Sequence, residues 1–232
     1  MEKTLTLCVN SAEDIIQVAL TKNGNLYSAV ETKSKKKGIV LIPKMIKQCL
    51  ELADSSIESI EKIACVIGPG SFTGLRISLS ILSAISITKN IPIGAINYID
   101  LLAYNSFSFL KGTIFVVQYA KIDLFYVQGF SGPDPIIPIT DLSVINASQT
   151  RDIINSYKKA QVLGSGVRRY PDLFKDMDIT ILDPIYDRPS LNSLVKYAEK
   201  IKYSTNIPKP LYLRPSDAEE NLHKIIKNRG LI

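Results

Sequence analysis

The chain has 232 residues, of which 46% are hydrophobic and 22% charged, and its formal net charge is +6. Domains commonly contain about 100–200 residues, so this length predicts one large domain or two small ones. No segment reaches the run of about 20 apolar residues that a membrane-spanning helix requires, and the apolar run in residues 1–9 is too short for a signal peptide. The composition therefore predicts a folded cytoplasmic protein.

Continuous and alternating apolar runs predict the order βββαβαβα for the first half of the chain. Asn23-Gly24 is a hairpin signal, because both residues tolerate the positive φ of a tight turn. Pro43 is expected in the first turn of a helix, where its missing N–H does no harm. The predicted elements are strands at 4–10, 15–22, 25–33, 61–68 and 91–97 and helices at 39–53, 72–89 and 98–107.

The second half is predicted to repeat this order without detectable sequence identity. Its elements are strands at 112–120, 123–130, 135–140, 161–166 and 178–183 and helices at 148–159 and 190–204. Two consecutive βββαβαβα units favour an α/β, duplicated actin-like (ASKHA) fold, in which two lobes face each other across a nucleotide-binding cleft. We predict an N-terminal lobe over 1–108, a C-terminal lobe over 109–215 and a basic tail over 216–232.

The segment GPGSFTG at 68–74 connects a predicted strand to a predicted helix. It matches neither the P-loop nor the dinucleotide-binding fingerprint, because the lysine and the required glycine spacing are both absent. Unpaired N–H groups at a helix N-terminus suit an anion, whereas a close backbone contact or a tight turn without a ligand would also require glycine. The candidate nucleotide- or anion-binding residues are Gly68, Gly70, Ser71, Thr73, Gly74 and Arg76.

The helices at 39–53 and 72–89 carry more apolar positions than one buried stripe needs. They are therefore candidates for a surface that docks a second protein, although a completely buried helix pair explains the pattern equally well. The candidate partner-interface residues are Ile42, Met45, Ile46, Cys49, Leu75, Leu79 and Leu82. On the docking interpretation, Leu79→Arg or Met45→Glu would disrupt pairing while the protein stays folded.

Basic residues cluster in the segment KSKKK at 33–37. Lys33, Lys35, Lys36 and Lys37 are candidate RNA contacts, and a solvated loop is the alternative interpretation. The odd number of cysteines and their separate apolar runs predict buried, reduced side chains. The single histidine, His223, has no neighbouring Cys or His, which argues against a metal site and against a Ser-His-Asp triad. We therefore predict no catalytic residue and no bound metal.

Three segments together carry a family resemblance: GPGSFTGLRI at 68–77, IGAINYIDLLA at 93–103 and PLYLRPSDAE at 210–219. They resemble the TsaB (YeaZ) family, which is related to TsaD. The resemblance covers nearly the whole chain. The resemblance implies a non-catalytic subunit that binds and activates TsaD in threonylcarbamoyl transfer to adenosine 37 of tRNA. It also implies a ternary complex with TsaE, a homodimer when the chain is alone, pairing through N-terminal-lobe helices and indirect contact with tRNA.

The chain departs from the family pattern at three places. Asn10-Ser11-Ala12 stands where the family has DTS, Lys37-Gly38 where it has HS, and Tyr119-Ala120-Lys121 where it has DAR. Two of these changes remove carboxylates of the kind that Mg²⁺ prefers. We therefore predict no cofactor for the chain itself, with ATP or ADP as a ligand at the level of the complex. A stand-alone actin-like ATPase or small-molecule kinase and an RNA-binding module remain the alternatives.

Overall fold

The computed structural model describes residues 5–33 and 38–215 of the chain. The elements of the first half are β1 (Leu5–Asn10), β2 (Ile15–Lys22), β3 (Asn25–Lys33), α1 (Gly38–Leu52), β4 (Ile60–Gly68), α2 (Phe72–Lys89), β5 (Ile93–Asn97) and α3 (Tyr98–Phe107). This confirms the predicted order. Asn23 and Gly24 have φ values of 52° and 72°, which confirms the hairpin turn. The prediction that Pro43 lies in the first turn of the helix is wrong. The helix α1 begins at Gly38, so Pro43 lies beyond its first turn.

The second half contains β6 (Gly112–Lys121), β7 (Leu124–Gly132), β8 (Ile137–Pro138), β9 (Ser143–Asn146), α4 (Ala147–Asn155), β10 (Ala160–Leu163), α5 (Ser165–Arg169), β11 (Ile179–Ile181), α6 (Leu191–Ala198) and β12 (Tyr203–Ser204). The third strand predicted at 135–140 is confirmed only as the two-residue β8, and the unpredicted β9 pairs separately with β7. Pro135 and Pro138 cannot donate to a ladder, which limits the length of β8.

The strands form two sheets, each with α-helices packed on it. The first sheet has the order β12-β5-β4-β1-β2-β3, and the second has the order β11-β10-β6-β7-β8 with β9 also on β7. β1 is buried along its whole length and alternates between two cores: Leu7 faces the cluster beneath α1 and α2, whereas Cys8 faces the cluster beneath α3 and α6. A central strand covered on both faces fixes the position of the loop that follows it. No helix in the described part of the chain is long and apolar enough to cross a membrane.

The C-terminal part of the described chain returns to the first sheet. β12 pairs with β5 through Tyr203 and Gly94, and α6 packs on β2, β3 and α3. The predicted boundary, which placed all of 109–215 in the second lobe, is therefore corrected from α6 onward. The physical reason is burial: Leu194 and Val195 complete the core cluster that contains Cys8 of β1. We call the first sheet with α1, α2, α3 and α6 the first lobe, and the second sheet with α4 and α5 the second lobe.

Candidate functional site

The glycine turn between β4 and α2 packs directly against the loop that follows β1. A Cβ at Gly70 would lie 2.2 Å from the carbonyl oxygen of Ala12, and a Cβ at Gly74 would lie 2.4 Å from that of Ser11. Gly68 has φ +115°, which side chains rarely allow. Close approach of the chain's own backbone therefore accounts for Gly70 and Gly74, and the positive φ accounts for Gly68.

Several polar groups of this turn already have partners within the chain. The Ser71 backbone N–H donates to the Ala12 carbonyl oxygen at 2.6 Å, and the Ser71 hydroxyl accepts from the Gly74 N–H at 3.2 Å. The Ser71 side chain thus caps α2. Thr73 is exposed beside the cap. These contacts support the tight-turn interpretation, and anion binding by the six predicted residues stays a prediction.

Arg76 is held by two aromatic rings instead of projecting freely. Its guanidinium carbon lies 4.0 Å from the Phe72 ring centroid, and its Nε donates to the Tyr212 hydroxyl at 2.8 Å. The rings of Phe72 and Tyr212 stack with their centroids 4.3 Å apart. The Leu211 N–H donates to the carbonyl oxygen of Ile67 at 2.8 Å, which ties the segment 211–214 to the end of β4. Sequence reasoning missed the Tyr212 contact, because no periodicity links positions 136 residues apart.

Between the lobes lies a cavity of about 540 Å³. The loop after β1 forms one wall, and α5 and the short 3₁₀ helix Pro184–Asp187 form the other. A second cavity of about 620 Å³ shares Glu13, Asp14 and Tyr119 with it and extends to the glycine turn and Arg214. The residues that carry polar chemistry into the first cavity are Asn10, Glu13, Asp14, Gln17, Tyr98, Tyr119, Ser165, Arg168, Arg169, Asp187 and Arg188.

The polar groups at the end of β1 have partners within the chain. Asn10 lies at the end of β1, and both ends of its amide are used: Nδ2 donates to Gln17 Oε1 at 2.8 Å and Oδ1 accepts from the Ala12 N–H at 3.1 Å. On the opposite wall, the Tyr119 ring stacks with the Arg169 guanidinium at 4.0 Å. Within residues 5–33 and 38–215, no group of three His, Cys, Asp or Glu side chains could hold a metal ion.

Carboxylates of the cleft differ in their surroundings. Asp14 forms an exposed ion pair with Lys33 at 3.2 Å, and Asp187 binds Arg168 Nε at 2.6 Å. Burial raises the pKa of Glu13 to about 7, and the charges of Asp14 and Asp187 add to this rise; a hydrogen bond donated by the Ser165 hydroxyl to the carboxylate would oppose it. Lys33 therefore has a partner within the chain, whereas the other predicted RNA contacts, Lys35, Lys36 and Lys37, lie outside the described residues, as does His223.

The structure places all seven predicted interface residues in the core, six of them in one cluster. Ile42, Met45, Ile46, Cys49, Leu79 and Leu82 are at most 7% exposed in the cluster beneath α1 and α2, and Leu75 is 1% exposed in the neighbouring cluster. They form the inward stripes of the two helices, at the spacing that faces a helix toward its sheet. As placed, these side chains cannot contact a partner, so any docking surface must consist of the outward positions.

The outward side of α2 is also poor in charge. Ile77 and Ile81 are half-buried, Ser80 and Ala84 are exposed, and Ile87 is 70% exposed. We call these five residues the α2 outer face. No charged residue occurs between Arg76 and Lys89. An exposed helix face without charge over three turns is unusual for a surface that meets only water.

Comparison with known proteins identifies relatives. The family model "TsaD: tRNA N6-adenosine threonylcarbamoyltransferase" matches residues 30–128. The tRNA threonylcarbamoyladenosine biosynthesis protein TsaB of Buchnera aphidicola subsp. Schizaphis graminum is 29% identical over 169 residues, which cover 71% of this chain and 80% of that protein. TsaB of Buchnera aphidicola subsp. Acyrthosiphon pisum is 31% identical over 118 residues, which cover 50% and 53%.

A solved structure, YeaZ from Pseudomonas aeruginosa, matches with a TM-score of 0.73 and 17% identity over 90% of this chain and 100% of that chain. The two facing α/β lobes and this match show an actin-like fold, as the repeated element order predicted. The sequence relatives and the family model show that the chain is similar to TsaB (YeaZ) proteins of the TsaD-related family. The predicted resemblance is thereby confirmed.

Proposed function

We propose that this chain is a non-catalytic subunit that binds and activates a TsaD-like transferase in the biosynthesis of threonylcarbamoyladenosine in tRNA. The names of its relatives support involvement in this pathway. The observation that carries the subunit role is the α2 outer face, which is apolar, uncharged and open to solvent. The same surface serves a homodimer when the chain is alone, and TsaE joins the heterodimer to form a ternary complex.

The composition of the α2 outer face suits packing against another helix. Ser80 and Ala84 are one turn apart and small, so a second helix can approach closely there. Ile77, Ile81 and Ile87 flank them and supply apolar area that water now covers in part. At the start of α1, Ile39 and Val40 are 67% and 53% exposed, which extends the apolar surface of this lobe. Burial of this area stabilises a complex by about 25 cal/mol per Å² before the costs of association are subtracted.

A charge placed on the α2 outer face should weaken association without harming the fold. We expect Ala84→Arg to reduce the affinity for a TsaD-like partner at least tenfold, equivalent to about 1.4 kcal/mol, because the guanidinium would have to be desolvated in the interface. Ala84 is exposed, so the stability of the subunit should be unchanged. Surface plasmon resonance or co-elution in size-exclusion chromatography measures the affinity, and tRNA modification measures activation.

Asn155→Arg at the exposed end of α4 is the matched control, because it adds the same charge to a helix of the second lobe. This variant should bind and activate like the wild type. Full affinity and activation by Ala84→Arg would contradict the proposed surface, whereas equal weakening by both variants would indicate a nonspecific charge effect.

The alternative function, a stand-alone ATPase or kinase, requires a Mg²⁺-nucleotide site. Because the Asn10 amide is used within the chain, we expect titration calorimetry of ATP with Mg²⁺ into the isolated chain to show no metal-dependent binding. Tight binding that requires Mg²⁺, followed by turnover, would replace the subunit proposal with an enzymatic one.

A further inference from the structure

A contact between a glutamate and a serine side chain crosses the cleft between the lobes. Glu13 lies in the loop after β1 in the first lobe, and Ser165 is the first residue of α5 in the second lobe. Glu13 Oε1 lies 3.3 Å from Ser165 Oγ, although the two residues are 152 positions apart. Both line the cavity between the lobes. The contact therefore lies where the two lobes face each other.

The hydrogen-bond network around Ser165 determines which partner must supply the proton. The Ser165 N–H donates to Gln118 Oε1 at 3.1 Å, which fixes the orientation of the Gln118 amide. The Ser165 hydroxyl also lies in hydrogen-bond contact with the same Oε1. Since an amide oxygen only accepts, the single hydroxyl hydrogen of Ser165 is used there. The Tyr119 N–H donates to Ser165 Oγ at 3.1 Å and leaves one lone pair of that oxygen available.

The contact between Glu13 and Ser165 is consequently complete only when Glu13 carries the proton. A neutral carboxyl donates to the remaining lone pair of Ser165 Oγ, whereas a carboxylate would face an oxygen that has no hydrogen left to give. Burial, which disfavours the charged form, favours the same state by raising the pKa of Glu13 to about 7.

Each basic group that lines the first cavity contacts a partner other than Glu13 within the described ranges. Asp14 and Asp187 oppose the ionisation of Glu13. Of the cavity's basic groups, Arg168 pairs with Asp187, Arg188 pairs with Glu31 and Arg169 stacks on Tyr119. Lys33 pairs with Asp14. The buried Tyr98 lines the same cavity, and burial together with the charges of Glu13, Asp187 and Asp14 raises the pKa of Tyr98 as well.

We propose that Glu13 and Ser165 form a proton-dependent latch between the two lobes, closed when Glu13 is neutral and released when it ionises. Release leaves a carboxylate beside two acidic neighbours. Water that enters the cleft between the lobes then solvates the carboxylate and weakens the repulsion between these charges. The latch operates in the isolated chain and does not depend on the proposed function, so the two can fail separately.

Removal of the Ser165 hydroxyl tests the direction of the hydrogen bond. If neutral Glu13 donates to Ser165, Ser165→Ala removes a partner of the neutral form and lowers the pKa of Glu13. If Ser165 instead donates to a carboxylate, the same substitution raises that pKa. A titration of carboxyl carbons by ¹³C NMR, with Glu13 assigned by the signal missing from Glu13→Gln, measures both values.

We expect a wild-type midpoint near 7 and a midpoint at least about one unit lower in Ser165→Ala, a shift large enough to resolve by NMR. A wild-type midpoint near the ordinary 4.5, or an unchanged or raised midpoint in Ser165→Ala, would overturn the latch.

Glu13→Gln supplies a permanently closed control, because its amide donates to Ser165 at every pH. Spin labels at Glu61→Cys and Asp176→Cys report the distance between the lobes, since both positions are exposed and the native cysteines are buried. We expect a longer and broader distance distribution at pH 8.5 than at pH 6 in the labelled wild-type background, and no change with Glu13→Gln. Distances independent of pH, or equally dependent on it in both proteins, would exclude the latch.

Stability provides a second readout with a defined sign. A carboxyl whose pKa is raised from 4.5 to about 7 stabilises the folded state fully below pH 4.5, and this contribution is lost as the pH rises to about 7. The melting temperature of the wild type should therefore fall relative to that of Glu13→Gln across this window. Asp100, whose pKa burial raises to about 6, has the same effect in both proteins and cancels in the comparison. Parallel curves would contradict the latch.

Discussion

Gly70→Ala is expected to lower the free energy of unfolding by about 3 kcal/mol, near the upper end of the cost of forcing a methyl group into a packed site. The new Cβ would lie 2.2 Å from the carbonyl oxygen of Ala12 and 2.9 Å from its carbonyl carbon. These are backbone atoms and cannot rotate away, so the loop after β1 must move as a unit. For a chain of this size, the loss corresponds to a melting temperature lower by roughly 6–12 °C. Thermal and urea denaturation followed by circular dichroism measure both quantities.

Thr73→Ala is the control for this substitution, because Thr73 lies in the same turn and its side chain is exposed. Its effect should stay within about 0.5 kcal/mol. A Gly70→Ala protein as stable as Thr73→Ala would show that the loop and the turn do not pack as closely as described.

The same substitution at two adjacent residues of α2 should have a large effect on stability at one residue and almost none at the other. Leu79→Arg is expected to destabilise the protein by about 5 kcal/mol, because it removes a buried side chain and places an unpaired charge in the core. Leu79 is 7% exposed, whereas Ser80 is exposed on the α2 outer face. Ser80→Arg should therefore change stability by no more than about 0.5 kcal/mol. Urea denaturation of the two variants provides the comparison.

This contrast revises the expectation from sequence that Leu79→Arg, or Met45→Glu, would disrupt pairing in a folded protein. Both side chains lie in the core of the first lobe, so loss of pairing by these variants would be a consequence of unfolding. Equal stability of Leu79→Arg and Ser80→Arg would mean that α2 is rotated relative to the described packing.

The first half of the fold was accessible from sequence because its signals are strong and local. α2 spans Phe72–Lys89, as the uninterrupted apolar pattern predicted, and the Asn23-Gly24 turn fixed the β2–β3 hairpin. The weaker predictions failed where tertiary pairing decides the outcome. The segment 135–140 has the apolar character of a strand, yet its prolines interrupt the ladder and Ser143–Asn146 supplies the remaining pairing with β7.

The site was only partly predictable, because its contacts join distant segments. The glycine motif indicated a close approach, but no local pattern identifies Ala12 as the neighbouring backbone or Tyr212 as the ring that holds Arg76. The orientation of α2 was also ambiguous, since apolar residues occupy both its inward and its outward side. Leu79 and Ile81 are equivalent by composition, and only the packing on the first sheet separates a buried side chain from a half-buried one.

The return of α6 and β12 to the first sheet has a consequence for how the protein is made. Residues emerge from the ribosome in order, yet the β12 edge of the first sheet and the α6 layer over it are supplied only by Leu191–Ser204. The nascent first lobe therefore keeps part of the apolar surface around Cys8 uncovered until the second lobe has been synthesised. The first lobe therefore completes its folding only after the second lobe has been made. Expression of the two halves as separate chains would not yield two independently folding proteins.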